Sequence, residues 1–208
     1  MSIRHDTREG WLLEAVGHTG PLFLRHGYVV PNIHVTCGWP SKGGLARKKR
    51  RVGECWAASA SKDGVSQIFI SPYLDDAGAE QGVLATLVHE LVHAVVGNKE
   101  GHNKVFGKCA RAIGLEGKLT ATSAGEALLA EFKEWLAVLG KYPHSKLDSC
   151  KSPTKKQTTR LIKAECECGY NVRVTRKWLE EVGAPICPHN KKAMKFEIPD
   201  ELEQEDDA

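Results

Sequence analysis

Hydrophobic positions along this chain follow two rhythms, and their order outlines a fold. Residues 81 to 96, "QGVLATLVHELVHAVV", contain no proline, and Leu84, Val88, Leu91 and Val95 recur at the 3.6-residue period of a helix. Gly97-Asn98 supplies a stop. This helix is apolar nearly all round, which predicts burial between layers. Upstream, "DTREGWLLEAVGHTGPLFLRHG" predicts an opening helix broken near Gly17 to Gly20, then a short helical or turn segment. "PNIHVTCGWP" alternates Ile33, Val35 and Cys37 with His34 and Thr36 and predicts a strand. "GECWAASASKDGVSQIFISP" predicts two strands joined at Asp63-Gly64.

Downstream, residues 103 to 113 predict a helix with Val105, Phe106, Cys109 and Ile113 inward and Gly114 as its cap. "SAGE" at 123 to 126 has the capping-box pattern. It is expected to open a helix burying Leu128, Leu129, Phe132, Trp135, Leu136 and Leu139. The expected architecture is an α+β domain over residues 1–143, with helices packed on a small three-stranded sheet. Residues 144–160 lack apolar periodicity and predict a basic linker. Residues 161–199 predict a small ribbon-like domain, and residues 200–208, "DELEQEDDA", a disordered acidic tail.

Candidate chemistry concentrates in "HELVHAVVGNKEGH", residues 89 to 102. His89 and His93 lie four apart, so a helix puts both rings on one face. Buried imidazoles need polar partners, and a metal is one. Glu90 is placed to act as general base on water activated by such a metal. His102 is the obvious third ligand, because Gly97 breaks the helix and "NKEG" turns the chain back. Three protein ligands with one open position describe a catalytic zinc. The pattern H-E-x-x-H alone arises by chance about 0.03 times in a chain of this composition, and core or capping histidines are the bland alternative. Tyr73 and His34 are candidates by type for stabilising an oxyanion.

The ribbon segment carries Cys166, Cys168, Cys187 and His189 as two close pairs. So small a unit builds little core, and a structural zinc on four N/S ligands supplies the missing stability. Both pairs are one residue tighter than the usual C-x-x-C knuckle. Glu165 and Asn190 stand where ligands normally fall, and Cys150 is a possible substitute. An unmetallated set of thiols is the alternative. Cys37, Cys55 and Cys109 read as small buried hydrophobes.

Composition adds compartment and partner. The hydrophobic fraction of 41% and charged fraction of 26% suit a globular chain. "MSIRHDTREG" shows no apolar signal core and no run approaches ~18 apolar residues, so a cytoplasmic protein without membrane attachment is expected. Its seven Cys are then thiols and metal ligands rather than disulfides. The net charge of +3 divides into an acidic tail and a basic body. Arg47 to Arg51 are five consecutive bases, and Lys146 to Lys195 hold 12 Lys and Arg against 5 Asp and Glu. DNA, reached through the basic linker, the ribbon and the 47–51 loop, is the expected partner beside protein substrates. A monomer is expected.

With "GECW" and "IFISP" before the helix, "HELVHAVVG" within it, "GHNKVFGKCARAIGL" after it and a terminal "CGY…VR…CPH", the chain resembles the SprT-like zinc metallopeptidases, especially the short forms of bacteria and their phages. The resemblance covers roughly residues 30 to 190. It implies a zincin-like domain with His89, His93 and His102 on zinc and Glu90 as catalytic base. Members related to Spartan cleave proteins crosslinked to DNA, and their basic and zinc-binding appendages contact DNA. The tight knuckles are where this sequence departs from the family. Two other classes stand beside this reading. One is a non-enzymatic, zinc-containing DNA-binding protein with a vestigial site. The other is a zinc hydrolase of a non-peptide bond.

Overall fold

The computed structural model describes residues 4–46, 48–74, 79–143, 145–147 and 161–198. Arg47, most of the expected linker, Cys150 and the acidic tail lie outside the described residues. The chain is mixed α+β, with five helices and three small sheets among the described residues. It divides into two compact units, Met1–Lys151 and Ser152–Ala208. No described helix is long and apolar enough to cross a membrane.

In the first unit the helix α1 runs unbroken over Arg8–Arg25, capped by Thr7, whose Oγ1 accepts from the Gly10 N–H at 3.1 Å. The expected break at Gly17 to Gly20 does not occur, although Pro21 also sits inside the helix. Glycines and a proline weaken a helix locally, but Trp11, Leu12, Ala15, Leu22 and Phe23 bury one face of α1 on both sides of them. Tertiary packing outweighs propensity here.

Strands β1 (Ile33–Cys37), β2 (Gly53–Trp56) and β3 (Ser66–Ile70) form a sheet in the order β1-β3-β2. β3 is central, parallel to β1 and antiparallel to β2, and β2 is an edge. Ile68 and Ile70 point into the core, while Gln67 and Phe69 face the other way. A 3-10 turn at Ala58–Ala60 lengthens the β2–β3 connection beyond a tight hairpin.

Helix α2 (Ala79–Val96) crosses the core with Val83, Leu84, Leu87, Val88, Leu91 and Val92 all wholly buried. Helix α3 (Lys104–Ala112) and helix α4 (Glu126–Leu139) complete the layer. Between them lies a hairpin, β4 (Leu115–Lys118) with β5 (Ala121–Ala124), that the sequence pattern did not suggest. Its residues are mostly polar and exposed, so no two-residue apolar rhythm marks it. Ser123 pairs with Glu116 in this hairpin, so the expected capping box is not formed. The N-cap of α4 is Gly125, without a side-chain cap. Leu129, expected inside, is 36% exposed on α4.

The second unit pairs β6 (Leu161–Glu165) with β7 (Asn171–Thr175) and β8 (Lys195–Phe196), all antiparallel, and carries a short helix α5 (Arg176–Glu181). Ile162 and Leu179 are buried here, and the central cluster is a small one of four residues, Ala164, Cys166, Cys187 and Met194, flanked by Val172 and Phe196. Two of those four residues are thiols, as expected of a unit whose stability leans on something other than apolar area.

Candidate metal centre

Local backbone chemistry brings three histidines together. His89 and His93 lie one turn apart on α2. The helix ends where the Gly97 N–H reaches the His93 carbonyl at 2.9 Å, with Gly97 at φ 92°, a conformation open to glycine. A single 3-10 turn, Asn98–Glu100, and Gly101 at φ 50° bring the chain back. Asn103 then caps α3, its Oδ1 accepting from the Val105 and Phe106 N–H groups at 2.8 and 3.3 Å. His102 is thereby fixed between two backbone devices.

The His102 Nε2 lies 3.1 Å from His89 Nε2 and 3.2 Å from His93 Nε2. A single imidazole nitrogen carries either one N–H or one lone pair, so hydrogen bonding cannot serve both neighbours. A shared cation can. Tetrahedral Zn–N bonds of ~2.0–2.1 Å place ligand nitrogens about 3.3–3.4 Å apart, close to the spacing found. Burial pushes His89 down to about 4 and His93 down to about 3, with the neighbouring imidazoles adding to both shifts. His102 is lowered too, by burial and then by Arg51. All three rings are therefore neutral near pH 7 and present free lone pairs. The buried Phe106 ring packs against all three, with centroids 4.4 to 5.0 Å away. His89 Nδ1 meets Thr122 Oγ1 on β5 at 2.8 Å. A proton on Nδ1, donated to Thr122, leaves Nε2 as the bare nitrogen that faces the other two histidines.

Glu90 faces β2 and is 6% exposed. Its room depends on Gly53: a Cβ there would lie 2.6 Å from Glu90 Oε1 and 2.6 Å from Thr86 Cγ2. The Cys55 N–H donates to the Glu90 carboxylate. Burial nevertheless pushes Glu90 up to about 8, against the opposing pull of Arg51. A dication on the adjacent histidines favours the carboxylate form and draws this value down. Burial also pushes the Cys55 thiol up to about 12, so it stays protonated beside Glu90.

A cleft of about 950 Å³ opens over these groups. One wall is β2 with Arg50 and Arg51, and the other is the Thr120 to Ala124 stretch. Ser71 N donates to Val52 O at 2.8 Å. By the alternation of antiparallel ladders, Gly53 and Cys55 then turn their backbone groups away from β3. Those of Cys55 are already used, the N–H by Glu90 and the carbonyl by the Asn98 amide. The Arg51 N–H is taken as well, by the Gly43 carbonyl at 3.2 Å, so the edge turned to the cleft offers the backbone groups of Gly53. Neither oxyanion candidate lines the cleft. His34 pairs with Asp63 at 3.2 Å on the far strand β1, and Arg50 stacks over the Tyr73 ring at 3.1 Å.

Set against protein-family models, curated proteins and solved structures, the chain matches none. The functional reading therefore rests on the residues of this chain.

In the second unit the sulfur atoms of Cys166, Cys168 and Cys187 lie within 4.8 Å of one another. Cys168 and Cys187 are 3.6 Å apart. The His189 ring does not join this group. Its backbone N–H and that of Asn190 donate to Cys187 instead, and they hold that thiol below its ordinary value. The Asn190 amide donates to Cys166 Sγ at 3.1 Å. Three clustered thiols with N–H donors aimed at sulfur suit a soft cation such as zinc.

Sequence pattern named the three histidines and Glu90. It missed Thr122, Gly53 and Asn98, which act on the site from other elements. Only the glycine of "GECW" offered a signal, since glycine inside a strand marks a close approach.

Two tests follow from this geometry. Thr122→Val removes the oxygen that orients His89 and should weaken zinc binding about 10–100-fold in a chelator competition, while Thr122→Ser restores it. Unchanged affinity in the valine variant means that the contact does not tune the site. Metal analysis should find zinc in both units, the first lost in His102→Ala and the second in Cys187→Ser. A zinc content that survives both substitutions contradicts the assignment.

Proposed function

We propose that the chain is a zinc-dependent metallopeptidase with a zincin-like catalytic domain, as its resemblance to SprT-like peptidases implies. The observation that carries this reading is the meeting of three neutral imidazole nitrogens beside a buried Glu90, under an open cleft edged by the outer strand β2. A purely structural metal site has no use for the carboxylate or the cleft.

His89, His93 and His102 would hold the zinc, which when bound would supply a Lewis acid for a scissile carbonyl and for water. Glu90 is placed to act as the general base, and would take a proton from water and return it to the departing amine. The Cys55 N–H holds the carboxylate in place, and Phe106 closes the floor of the site to solvent. The Gly53 backbone groups bind an extended substrate as an added strand. Recognition is then mostly by main chain, with weak sequence preference.

The proposed substrates are proteins on or crosslinked to DNA. Exposed Lys48, Lys49 and Arg51 lie on the loop that leads into β2, and Arg50 and Arg51 line the cleft. Phosphate recognition and the peptidase cleft thus share one segment.

Glu90→Gln should retain zinc and the native circular dichroism spectrum while hydrolysis of a denatured protein substrate falls about 10²–10⁴-fold. Activity equal to that of the unmodified protein, in a preparation free of contaminating protease, contradicts the mechanism. Gly53→Ala should also keep its zinc, but lose turnover and about 1–3 kcal/mol of stability to overpacking, read by urea denaturation. A variant with normal turnover and stability shows that Gly53 is not the close approach described above.

A further inference from the structure

The sheet has a second face, and it carries a pocket of different chemistry. Gly53 and Cys55 face α2, so their neighbours Glu54 and Trp56 project to the opposite side. Gln67 and Phe69 of β3 project there too. With Trp39 and Ser41 these side chains enclose about 280 Å³. That is near the lower bound of ligand pockets, roughly 300 Å³, and suits one ring system.

Glu54 is the charged group at this pocket, yet its carboxylate is saturated. Oε1 accepts from Ser41 Oγ at 2.7 Å and Arg51 at 3.2 Å, while Oε2 accepts from the Ser41 N–H at 2.8 Å and Trp56 Nε1 at 2.8 Å. An ionised carboxylate has about four acceptor positions, so none remains for a ligand cation, and Arg51 offsets the charge. What Glu54 does is pin Trp56. The indole is 44% exposed but its Nε1 is anchored, so the ring is held ready with little freedom to lose on binding. Gly38 keeps the approach to Phe69 open, because a Cβ there would sit 3.1 Å from that ring.

The surroundings are basic. Residues 38–53 contain six Lys and Arg and no acidic residue. Lys42, Lys48, Lys49 and Arg51 are exposed on this stretch, and Lys62 is exposed between β2 and β3. An apolar, aromatic pocket without a free anion, with Arg51 on its carboxylate and exposed lysines in the segments that lead to it, fits a flat ring attached to a polyanion.

We propose that this pocket takes one base of a single-stranded nucleic acid, stacked on Trp56 and its aromatic neighbours, while the flanking lysines hold phosphates. It rests on the nucleic-acid part of the function proposed above and assigns that contact a place on the catalytic unit itself. A duplex keeps its bases stacked inside, so single strands bind in preference.

The test is fluorescence anisotropy of the full chain with a labelled oligothymidylate of about a dozen nucleotides, titrated at several salt concentrations. Trp56→Ala and Trp39→Ala should each weaken binding about tenfold and leave the salt slope unchanged, and Trp56→Phe should retain part of the affinity. Lys48→Ala with Lys49→Ala should instead make the slope shallower. Photocrosslinking of the unmodified protein to an iodouridine-substituted strand, mapped by mass spectrometry, should mark Trp56 or Trp39, a readout independent of any variant's folding. Adducts confined to the second unit, with binding unaltered in the tryptophan variants, overturn the site while leaving the peptidase reading intact. No binding of single strands at low salt overturns both the site and the nucleic-acid part of that reading. Unaltered oligonucleotide binding with a raised KM for a protein substrate in Trp56→Ala assigns the pocket to an apolar protein side chain and equally overturns the proposal.

Discussion

One buried carboxylate and two half-buried imidazoles on a largely apolar helix are the constraint on which this molecule turns. α2 packs one broad face of leucine and valine into the core, and beside that face it carries two imidazoles and a carboxylate. Each must find a partner, because an unsatisfied buried polar group costs on the order of 1–3 kcal/mol. Each partner comes from a different part of the chain. Thr122 of β5 serves His89, the Cys55 N–H of β2 serves Glu90, and His102 closes the third side from the loop before α3. The elements around α2 are thus held in register by the polar residues they must satisfy.

The same constraint explains the glycines at the site. Gly53 lets β2 approach close enough for its backbone to reach Glu90. Gly97 and Gly101, both at positive φ, let the chain leave α2 and return with His102 within five residues. Neither role concerns flexibility. In each case the absent Cβ permits an approach or a turn that another residue resists.

Much of this was legible in the sequence, for a physical reason. The long apolar period of α2, the alternation in β1, the turn at Asp63-Gly64 and the four-residue histidine spacing are local signals. Local signals fix elements and the faces of elements. The β4–β5 hairpin was not legible, because its residues are polar and its place is set by what it packs on. Leu119 fills the space left by Gly107, and Thr122 reaches His89. α1 misled in the opposite direction. Its glycines and Pro21 predicted a break, but burial of Trp11 and Phe23 on either side keeps the helix whole. In the second unit the spacing located the thiols that meet. It did not show that Asn190 donates to Cys166, or that His189 serves Cys187 through its backbone.

The central claim is that His89, His93 and His102 hold one zinc and leave a position open toward the cleft. An anomalous difference map, from crystals of the zinc-loaded protein measured on either side of the zinc absorption edge, tests it most directly. The account predicts a peak about 2.0–2.1 Å from the Nε2 atoms of all three residues, with no fourth protein ligand. A map without that peak, or a zinc closed off by a fourth side chain, contradicts it.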